Sequence, residues 1–276
     1  MPVPTFGFHS LFDSDTVTVS PAASGLFPIT NLSDDRVFTV FKPTSAATSV
    51  TIKTDAGVGN TSKVDYFMMV GHDLSDPAND AGGGVSIELE SSPDDAAYTS
   101  IFSTSALTDN KIVMRTFTEV DKRFFRLTLT RGSSFVPSIG QLQWGQRLDF
   151  PFGHPTGFDP QDEKPKWASP RSQVGHLLGV TRRYTERLFK VNMKSVPDSY
   201  LRDQTNPTGF QFFWDTHADL GKPFVFAWNP GNPGSFEKDS FFGQIVPGAG
   251  IRRPLRTQVD VGLRDWKFTM TGLKES

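Results

Sequence analysis

The stretch KRFFRLTLTRG (residues 122–132) decides the fold class of this chain. Its residues alternate in character: Phe125, Leu127 and Leu129 are apolar, and polar residues such as Arg126 stand between them. Alternation with a period of two places one set of side chains on a buried face and the other set in solvent. The stretch therefore predicts a half-buried β-strand from which Arg126 points outward.

Similar runs of strand-forming residues lie on both sides of this stretch, with turn signals between them. They cover residues 49–53, 63–70, 85–90, 99–102, 111–116 and 139–144. The loop SSPDDAAY (91–98) carries the Pro-Asp-Asp pattern of a tight turn. Many short strands separated by turns are typical of a sandwich, so the first half of the chain predicts a β-sandwich.

The composition limits the classes of protein to which the chain can belong. With 276 residues and no cysteine, it is long enough for two domains and has neither disulfides nor a thiolate metal site. No apolar run approaches the roughly 18 residues of a membrane span, and the first residues lack the order of a secretory signal. We therefore expect a soluble protein made in a cytoplasm.

The charge differs between the two halves. Residues 1–150 contain 11 Lys and Arg against 17 Asp and Glu, a net −6, whereas the remainder contains 17 against 13, a net +4. This difference is compatible with head-to-tail packing of unlike faces and equally with ordinary solvated surfaces.

A proline-rich segment separates the predicted domains. Residues 148–179 contain five prolines and no sustained periodicity, which predicts a stiff connecting arm over residues 148–184 between a sandwich at 1–147 and a second domain at 185–276. The arm carries aromatic residues, among them Phe152, Phe158 and Trp167. They either clamp a neighbouring subunit or strap the arm onto its own second domain.

The second domain predicts a small β-barrel or sandwich with one helix. Strands are expected at 185–196, 223–228, 241–246 and 265–272. Between the first two of these, a helix is expected to be capped by Asn206, to carry Pro207 in its first turn and to end at Gly221. Its apolar stripe contains Phe210, Phe213, Trp214 and His217.

The order of VSIELESSPDDAAYTSI, TFTEVDKRFFRLTLTRG and SIGQLQWG resembles the discoidin, or coagulation-factor type C, module. The stretches at 27–45 and 64–75 further resemble the N-terminal part of phage tail-associated proteins. The resemblance covers roughly residues 25–150 and implies a jelly-roll sandwich that binds glycans or lipids through loops at one end. Asp95 stands where the family has a turn glycine, and the stapling cysteines of extracellular members are missing, which argues against lipid binding.

Candidate ligand residues follow from position in this sandwich. Arg36, Phe38 and Phe41 would offer a sugar an aromatic platform beside a charged group, or else they form a strand edge and its packing. For a cation, the candidates are Asp73, Asp76 and Asp80, whose spacing does not match a Ca²⁺ loop; a solvated acidic turn is the alternative.

Catalytic signatures are missing from the sequence. It has no Gly-x-Ser-x-Gly elbow, Walker loop or His-Glu-x-x-His motif, so we expect no enzyme and no cofactor. The one catalytic candidate, His217, lies on an apolar stripe where a packed histidine is the usual arrangement. Arg252 and Arg253 lack interleaved aromatics, which favours a ring-interface contact or a solvated loop over specific nucleic-acid binding.

The element order of the second domain resembles that of tail-tube and distal-tail proteins, which assemble as rings. Together the two resemblances imply a structural component of a phage tail or baseplate: a homo-oligomeric ring in the virion, in contact with other tail proteins and not inserted in a membrane. Its sandwich would face outward and contact either host glycans or another tail protein. The alternatives are a carbohydrate-binding receptor-recognition module and a polysaccharide-active enzyme.

Overall fold

The structure is a computed structural model, and it describes residues 3–75, 84–104, 107, 109–153, 163–228, 240–245 and 262–273. In these residues the chain is mainly β, as the sequence predicts. The strands, in chain order, are β1 (Thr5–Gly7), β2 (Thr16–Ser20), β3 (Ala47–Asp55), β4 (Ser62–Val70), β5 (Ser86–Ser92), β6 (Thr99–Thr104), β7 (Val113–Lys122), β8 (Phe124–Phe135), β9 (Gln141–Gly145), β10 (Arg147–Asp149), β11 (Glu163–Ala168), β12 (Thr181–Pro197), β13 (Phe224–Ala227), β14 (Ser240–Ile245) and β15 (Leu263–Leu273).

Two antiparallel sheets form the predicted sandwich. One has five strands in the order β2-β3-β8-β5-β6, and the other has three in the order β7-β4-β9. Their inner faces share one apolar core, to which β8 contributes Phe125, Leu127 and Leu129, all fully buried. Trp144 closes the core from the opposite sheet and donates its Nε1–H to Thr54 Oγ1 over 3.1 Å. The sandwich is the discoidin-like jelly roll that the resemblance implies.

The second unit is a seven-stranded antiparallel sheet in the order β10-β1-β13-β14-β15-β12-β11. Short helices pack on it: α1 (Asp198–Leu201), α2 (Phe210–Phe213) and a π-helical turn (Trp214–Ala218) that continues α2. The core between helices and sheet is mostly aromatic, with Phe213 and Trp266 fully buried at its centre.

The boundary between the two units differs from the predicted one. Residues 5–7 pair with β13 at Gly7↔Val225 and with β10 at Gly7↔Arg147, so the first strand belongs to the C-terminal sheet. The reason is Phe6, whose ring is fully buried among the rings of that core. The sandwich accordingly begins after Phe8.

The predicted connecting arm at 148–184 also has more structure than expected. Phe150 is buried in the C-terminal core, and its N–H donates to the Pro4 carbonyl over 2.9 Å. Phe152 packs against the same core, so at this position the arm is a strap on its own domain. Farther along, β11 and β12 form an antiparallel hairpin.

The helix begins later than predicted. Its N-cap is Gly209, and no side chain caps it, so Asn206 does not cap α2 and Pro207 precedes it. The preceding turn folds back on Asp203, whose carbonyl accepts the Gln211 N–H over 2.8 Å. A Cβ at Gly209 would lie 2.4 Å from this carbonyl, so the turn requires glycine. Gly221, with φ of 66°, follows the helix where a stop is expected.

The two units share an apolar interface. Tyr66 and Met68, on the outer face of β4, pack with Val225 and Ala227 of β13. Tyr66 donates its hydroxyl to the carbonyl of His9 over 2.8 Å, which ties the sandwich to the segment that leads out of β1. Among the helices that the structure describes, none is long and apolar enough to span a membrane.

Candidate functional site

A row of polar side chains crosses the outer face of the five-stranded sheet. Thr18 lies opposite Lys53, Lys53 opposite Arg126, and Arg126 opposite Glu90, so four neighbouring strands each contribute one side chain. Residues directly opposite on paired strands point to the same face. The outward position predicted for Arg126 is therefore the centre of this row.

A second row runs beside the first, two residues farther along each strand. It consists of Ser20, Thr51, Thr128 and Glu88. Three of its four side chains carry hydroxyls, and Thr128 donates its hydroxyl to Glu90 Oε2 over 3.0 Å. The sheet face thus combines ionised groups with hydroxyls.

Tyr98, in the loop between β5 and β6, places its aromatic ring beside Arg126 of the first row. Tyr98 is half-buried, and the Arg126 guanidinium lies 3.6 Å from the centroid of its ring, within the range of a cation–π contact. The Tyr98 hydroxyl donates to Asp95. The stack gives the site one flat wall.

The loop that carries Asp95 is held in a defined conformation. Ser92 Oγ accepts the N–H groups of Asp94 and Asp95 over 3.3 and 3.1 Å, and Asp94 Oδ1 accepts that of Ala96 over 3.1 Å. Asp95 itself has φ of 65°, in the left-handed region that glycine favours. Aspartate tolerates this conformation better than most residues.

Two ion pairs order the charges of the row. Arg126 donates two hydrogen bonds to Glu90, Nε to Oε2 over 3.0 Å and Nη2 to Oε1 over 3.1 Å. Lys53 Nζ lies 2.6 Å from Asp95 Oδ2. Hydrogen bonds from Lys53 and then Tyr98 lower the pKa of Asp95, so this carboxylate stays ionised at neutral pH. The first row and the loop residue Asp95 together carry two cations and two carboxylates, which cancel, and Glu88 of the second row adds one further carboxylate.

Between these groups lies a small cleft of about 190 Å³. Its lining residues are Thr18, Val19, Ser20, Thr51, Lys53, Asp95 and Arg126. Pockets for drug-sized ligands are about 300–1,000 Å³ and mostly apolar. This cleft is smaller and polar, so it suits one ring-sized ligand that carries hydrogen-bonding groups.

Of the three loop residues predicted to bind a ligand, two are exposed and one is buried. Arg36 and Phe38 are exposed, with 81% of Phe38 accessible to solvent, on a loop held by Asp34, which accepts hydrogen bonds from Thr39 and Gln141. Phe41 is fully buried in the sandwich core, so its prediction as a ligand platform was wrong. Its backbone pairs with that of Ile139, whose side chain is buried in the same core.

The predicted cation site gains no support from the residue that the structure describes. Asp73 Oδ1 accepts the Ser138 N–H over 2.8 Å, so this carboxylate holds two loops together. Asp76 and Asp80 lie outside the described residues. Throughout the described ranges, no three His, Asp or Glu side chains come together in a way that could hold a metal ion.

Of the predicted assembly residues, Trp167 is exposed on β11, with 57% of its surface accessible, whereas Phe152 is partly buried. Phe158, Arg252 and Arg253 lie outside the described residues.

His217 is a packed histidine. Its ring centroid lies 5.0 Å from that of Phe8, and its Nδ1 is 2.9 Å from the hydroxyl of Thr216. Burial, with the nearby charge of Lys222 in second place, lowers the pKa of His217 to about 4. The ring is therefore neutral at pH 7.

No protein-family model matches the chain. No curated protein matches it either. The matching solved structures include the CBM32-6 module of CpGH89 from Clostridium perfringens, with 16% identity, coverage of 50% of this chain and 99% of that chain, and a TM-score of 0.39. A chitosan-binding module from a chitosanase/glucanase of Paenibacillus sp. IK-5 shows 17% identity, coverage of 50% and 100%, and a TM-score of 0.40.

A GH29 fucosidase of Ruminococcus gnavus, in complex with fucose, also matches, with 18% identity and a TM-score of 0.39. The match covers 50% of this chain and spans only 26% of the fucosidase. Identities and TM-scores are low in all three cases, and the sandwich fold described above rests on the strand order of its own sheets.

The row on the sheet face was missed as a site by sequence reasoning. Its signal is present, because Lys53, Glu90 and Arg126 each occupy a polar position in an alternating strand. Only the register aligns them, however, and register depends on pairings between distant segments.

Proposed function

We propose that the protein binds carbohydrate, and that the cleft on the five-stranded sheet is the binding site. The observation that carries this proposal is the arrangement of the polar groups, in which both cations are paired with carboxylates and hydroxyls lie beside them. Its cations donate hydrogen bonds, its carboxylates accept them, and the hydroxyls of Thr18, Ser20 and Thr51 do both. A sugar offers hydroxyl groups that also donate and accept, together with an apolar ring face that suits the flat guanidinium of Arg126, which lines the cleft and stacks on Tyr98.

Charge balance supports a neutral sugar over an anion. Each cation of the row already faces a carboxylate, so an anionic ligand would meet Glu90 and Asp95 as well as Arg126 and Lys53. An uncharged polyol has no such conflict. The protein would act by binding: Asp95, the carboxylate that lines the cleft, and Glu90 beside the cleft are both engaged in ion pairs.

The test is to measure, by titration calorimetry, the binding of neutral mono- and oligosaccharides to the full wild-type chain and to its Lys53→Met variant. We expect the affinity for saccharide to fall about tenfold, which corresponds to about 1.4 kcal/mol. The reason is that the variant removes the hydrogen-bond donor of Lys53 and breaks its ion pair with Asp95. Lys63→Met is the matched control, since Lys63 Nζ makes a similar surface pair with Glu119 over 2.8 Å on the other sheet.

Equal weakening by both variants would show that the effect is not local to the cleft. If no saccharide of a broad panel binds the wild-type chain at millimolar concentration, the proposal is wrong.

We propose, as a second candidate, a structural subunit of a phage or phage-like tail or baseplate that assembles as a ring in the virion. The observation that favours it is the β11–β12 hairpin, which extends past the sheet and carries exposed apolar side chains. Such surfaces mark contacts with other proteins. In this case the sandwich would face outward, and negative-stain images of closed rings are the result that we expect.

A further inference from the structure

The β11–β12 hairpin extends past the C-terminal sheet over residues 163–185. It falls almost entirely within the predicted connecting arm at 148–184, and from here on the word arm denotes residues 163–185 only. β11 pairs only with β12, and the pairing of β12 with β15 begins at Glu186. Over the arm, therefore, the described residues form a two-stranded ribbon. A ribbon of this kind has little stability of its own in water unless something covers it.

The arm carries most of the large apolar side chains that are exposed in the described residues. Of the ten large apolar side chains that are exposed in the described residues, six lie on it. They are Trp167 (57%), Val174 (80%), Leu177 (55%), Leu178 (66%), Val180 (56%) and Tyr184 (49%). Single exposed apolar residues are ordinary, but this concentration on one hairpin marks a contact surface.

The tip of the arm is nonetheless folded. Ser172 donates its N–H to the His176 carbonyl over 2.8 Å, Gly175 donates to Ser172 over 2.9 Å, and Leu178 donates to Pro170 over 2.9 Å. The backbone of the tip therefore has a defined conformation while its apolar side chains remain uncovered. A preformed tip loses little conformational entropy on docking.

The outer edge of the arm is unsuited to pairing with another strand. β11 is the edge strand of the sheet, and Pro165, at its centre, has no N–H to donate. Lys164 and Lys166 flank this proline, and the register shifts between Lys166 and Trp167. Lysine, proline and bulges are the features that protect an edge strand from pairing. Docking must therefore use the side chains of the arm.

The charge of the arm indicates what it contacts. Residues 163–185 contain 5 Lys and Arg against 1 Glu, a net +4, whereas residues 1–150, which include the sandwich, carry a net −6. The arm is thus complementary in charge to the sandwich, and its own sandwich leaves it uncovered. We infer that the apolar tip of the arm docks on the acidic sandwich of a second copy of this chain, through side chains and without strand pairing.

Docking of the arm is independent of carbohydrate binding, and it goes beyond the proposed ring because it specifies the segment that docks, the unit that receives it and the mode of contact. The test is sedimentation velocity of the full chain over a hundredfold range of concentration. We expect the wild-type chain to associate within this range. In the variant Leu177→Ser/Leu178→Ser, association should be weakened by at least about tenfold, so that the chain is monomeric over the same range.

A matched control is the variant Leu26→Ser/Val58→Ser, which removes two apolar side chains that are 84% and 86% exposed on the sandwich. It should associate as the wild type does. Thermal unfolding of both variants checks that they are folded. A wild-type chain that stays monomeric throughout, or an arm variant that associates as strongly as the control, would overturn the inference.

Two further measurements separate the alternatives. Arg183→Glu should weaken association if the receiving surface is acidic, and unchanged association would contradict docking on the sandwich. Vesicles of phosphatidylserine and phosphatidylcholine serve as the second probe. Binding of a monomeric wild-type chain to them, lost in the arm variant, would show that the arm contacts a membrane and that the inference is wrong.

Discussion

The charge state of single residues at the junction of the two units follows from their burial. His217 packs between the rings of Phe8 and Phe213, and its pKa is lowered to about 4 mainly because burial penalises the charged ring. Lys222, nearby, adds to this shift, as does His9, whose pKa burial also lowers to about 4. Asp13, also near Lys222, has its pKa raised by burial. Burial of the two histidines therefore destabilises the junction in acid, whereas the raised pKa of Asp13 acts in the opposite direction.

The sign of the effect of His217 follows from proton binding. Between pH 6.5 and about 4 the unfolded chain binds a proton at this histidine and the folded chain does not, so stability is lost as pH falls through this window. We predict that His217→Phe reduces this loss by on the order of 2 kcal/mol, since the phenyl ring keeps the packing and cannot be protonated.

Urea unfolding at pH 7 and at pH 4 measures this change. The exposed His176 provides the control, because His176→Phe should leave the difference between the two pH values as it is in the wild type. Identical pH profiles for His217→Phe and the wild type would show that His217 is not the group responsible.

At the scale of elements, β9 illustrates how close approach selects glycine. Gly145 ends this strand where the segment after β1 crosses it, and a Cβ at Gly145 would lie 2.2 Å from the His9 carbonyl oxygen. At Gly140, just before the strand, a Cβ would lie 2.4 Å from the Val37 carbonyl oxygen. The two glycines therefore allow backbone from two different segments to lie against the three-stranded sheet.

We predict that Gly145→Ala destabilises the chain by about 1–3 kcal/mol, because backbone has to move to admit the methyl group. Gly132→Ala, on β8, is the control, since a Cβ there meets nothing within 4 Å. Thermal unfolding compares the two variants. A Gly145→Ala chain that unfolds at the same temperature as Gly132→Ala would argue against the close crossing of His9 over β9.

At the scale of the whole molecule, the chain crosses twice between its two units. It starts in the C-terminal sheet, builds the sandwich, and returns through β10 to the same sheet. Phe6 anchors the first strand, with its ring centroid 5.0 Å from Phe224 and 6.4 Å from Trp266. The C-terminal core thus depends on a residue more than 200 positions away in the sequence.

We predict that Phe6→Ala destabilises the C-terminal unit by about 3–5 kcal/mol, the usual cost of removing a buried phenyl ring. Relative to the wild type, hydrogen exchange in the variant should speed up more in β13–β15 than in the strands of the sandwich. Phe38→Ala, at an 81% exposed position, should change stability by less than about 0.5 kcal/mol. Faster exchange confined to the sandwich would contradict the placement of β1.

Much of the fold was predictable because local periodicity encodes it. The alternation of residues 124–130 predicts β8 and its buried face, and the turn signals divide the first half into the strands of a sandwich. Within the C-terminal unit the same periodicity locates most of β12 and β15, and the apolar stripe locates the helical segment but not its first turn. These features depend on neighbours in the sequence.

The sequence by itself determined the mainly-β class, the sandwich and the outward position of Arg126. Only the tertiary structure decided that β1 joins the distant sheet, that Phe41 is buried while Phe38 is exposed, and that Lys53, Arg126 and Glu90 form one row. The physical reason is that periodicity specifies which face of a strand is apolar but not which strand lies beside it. Pairing is selected by contacts between segments far apart in the chain, and a binding surface built across four strands comes into existence only with that pairing.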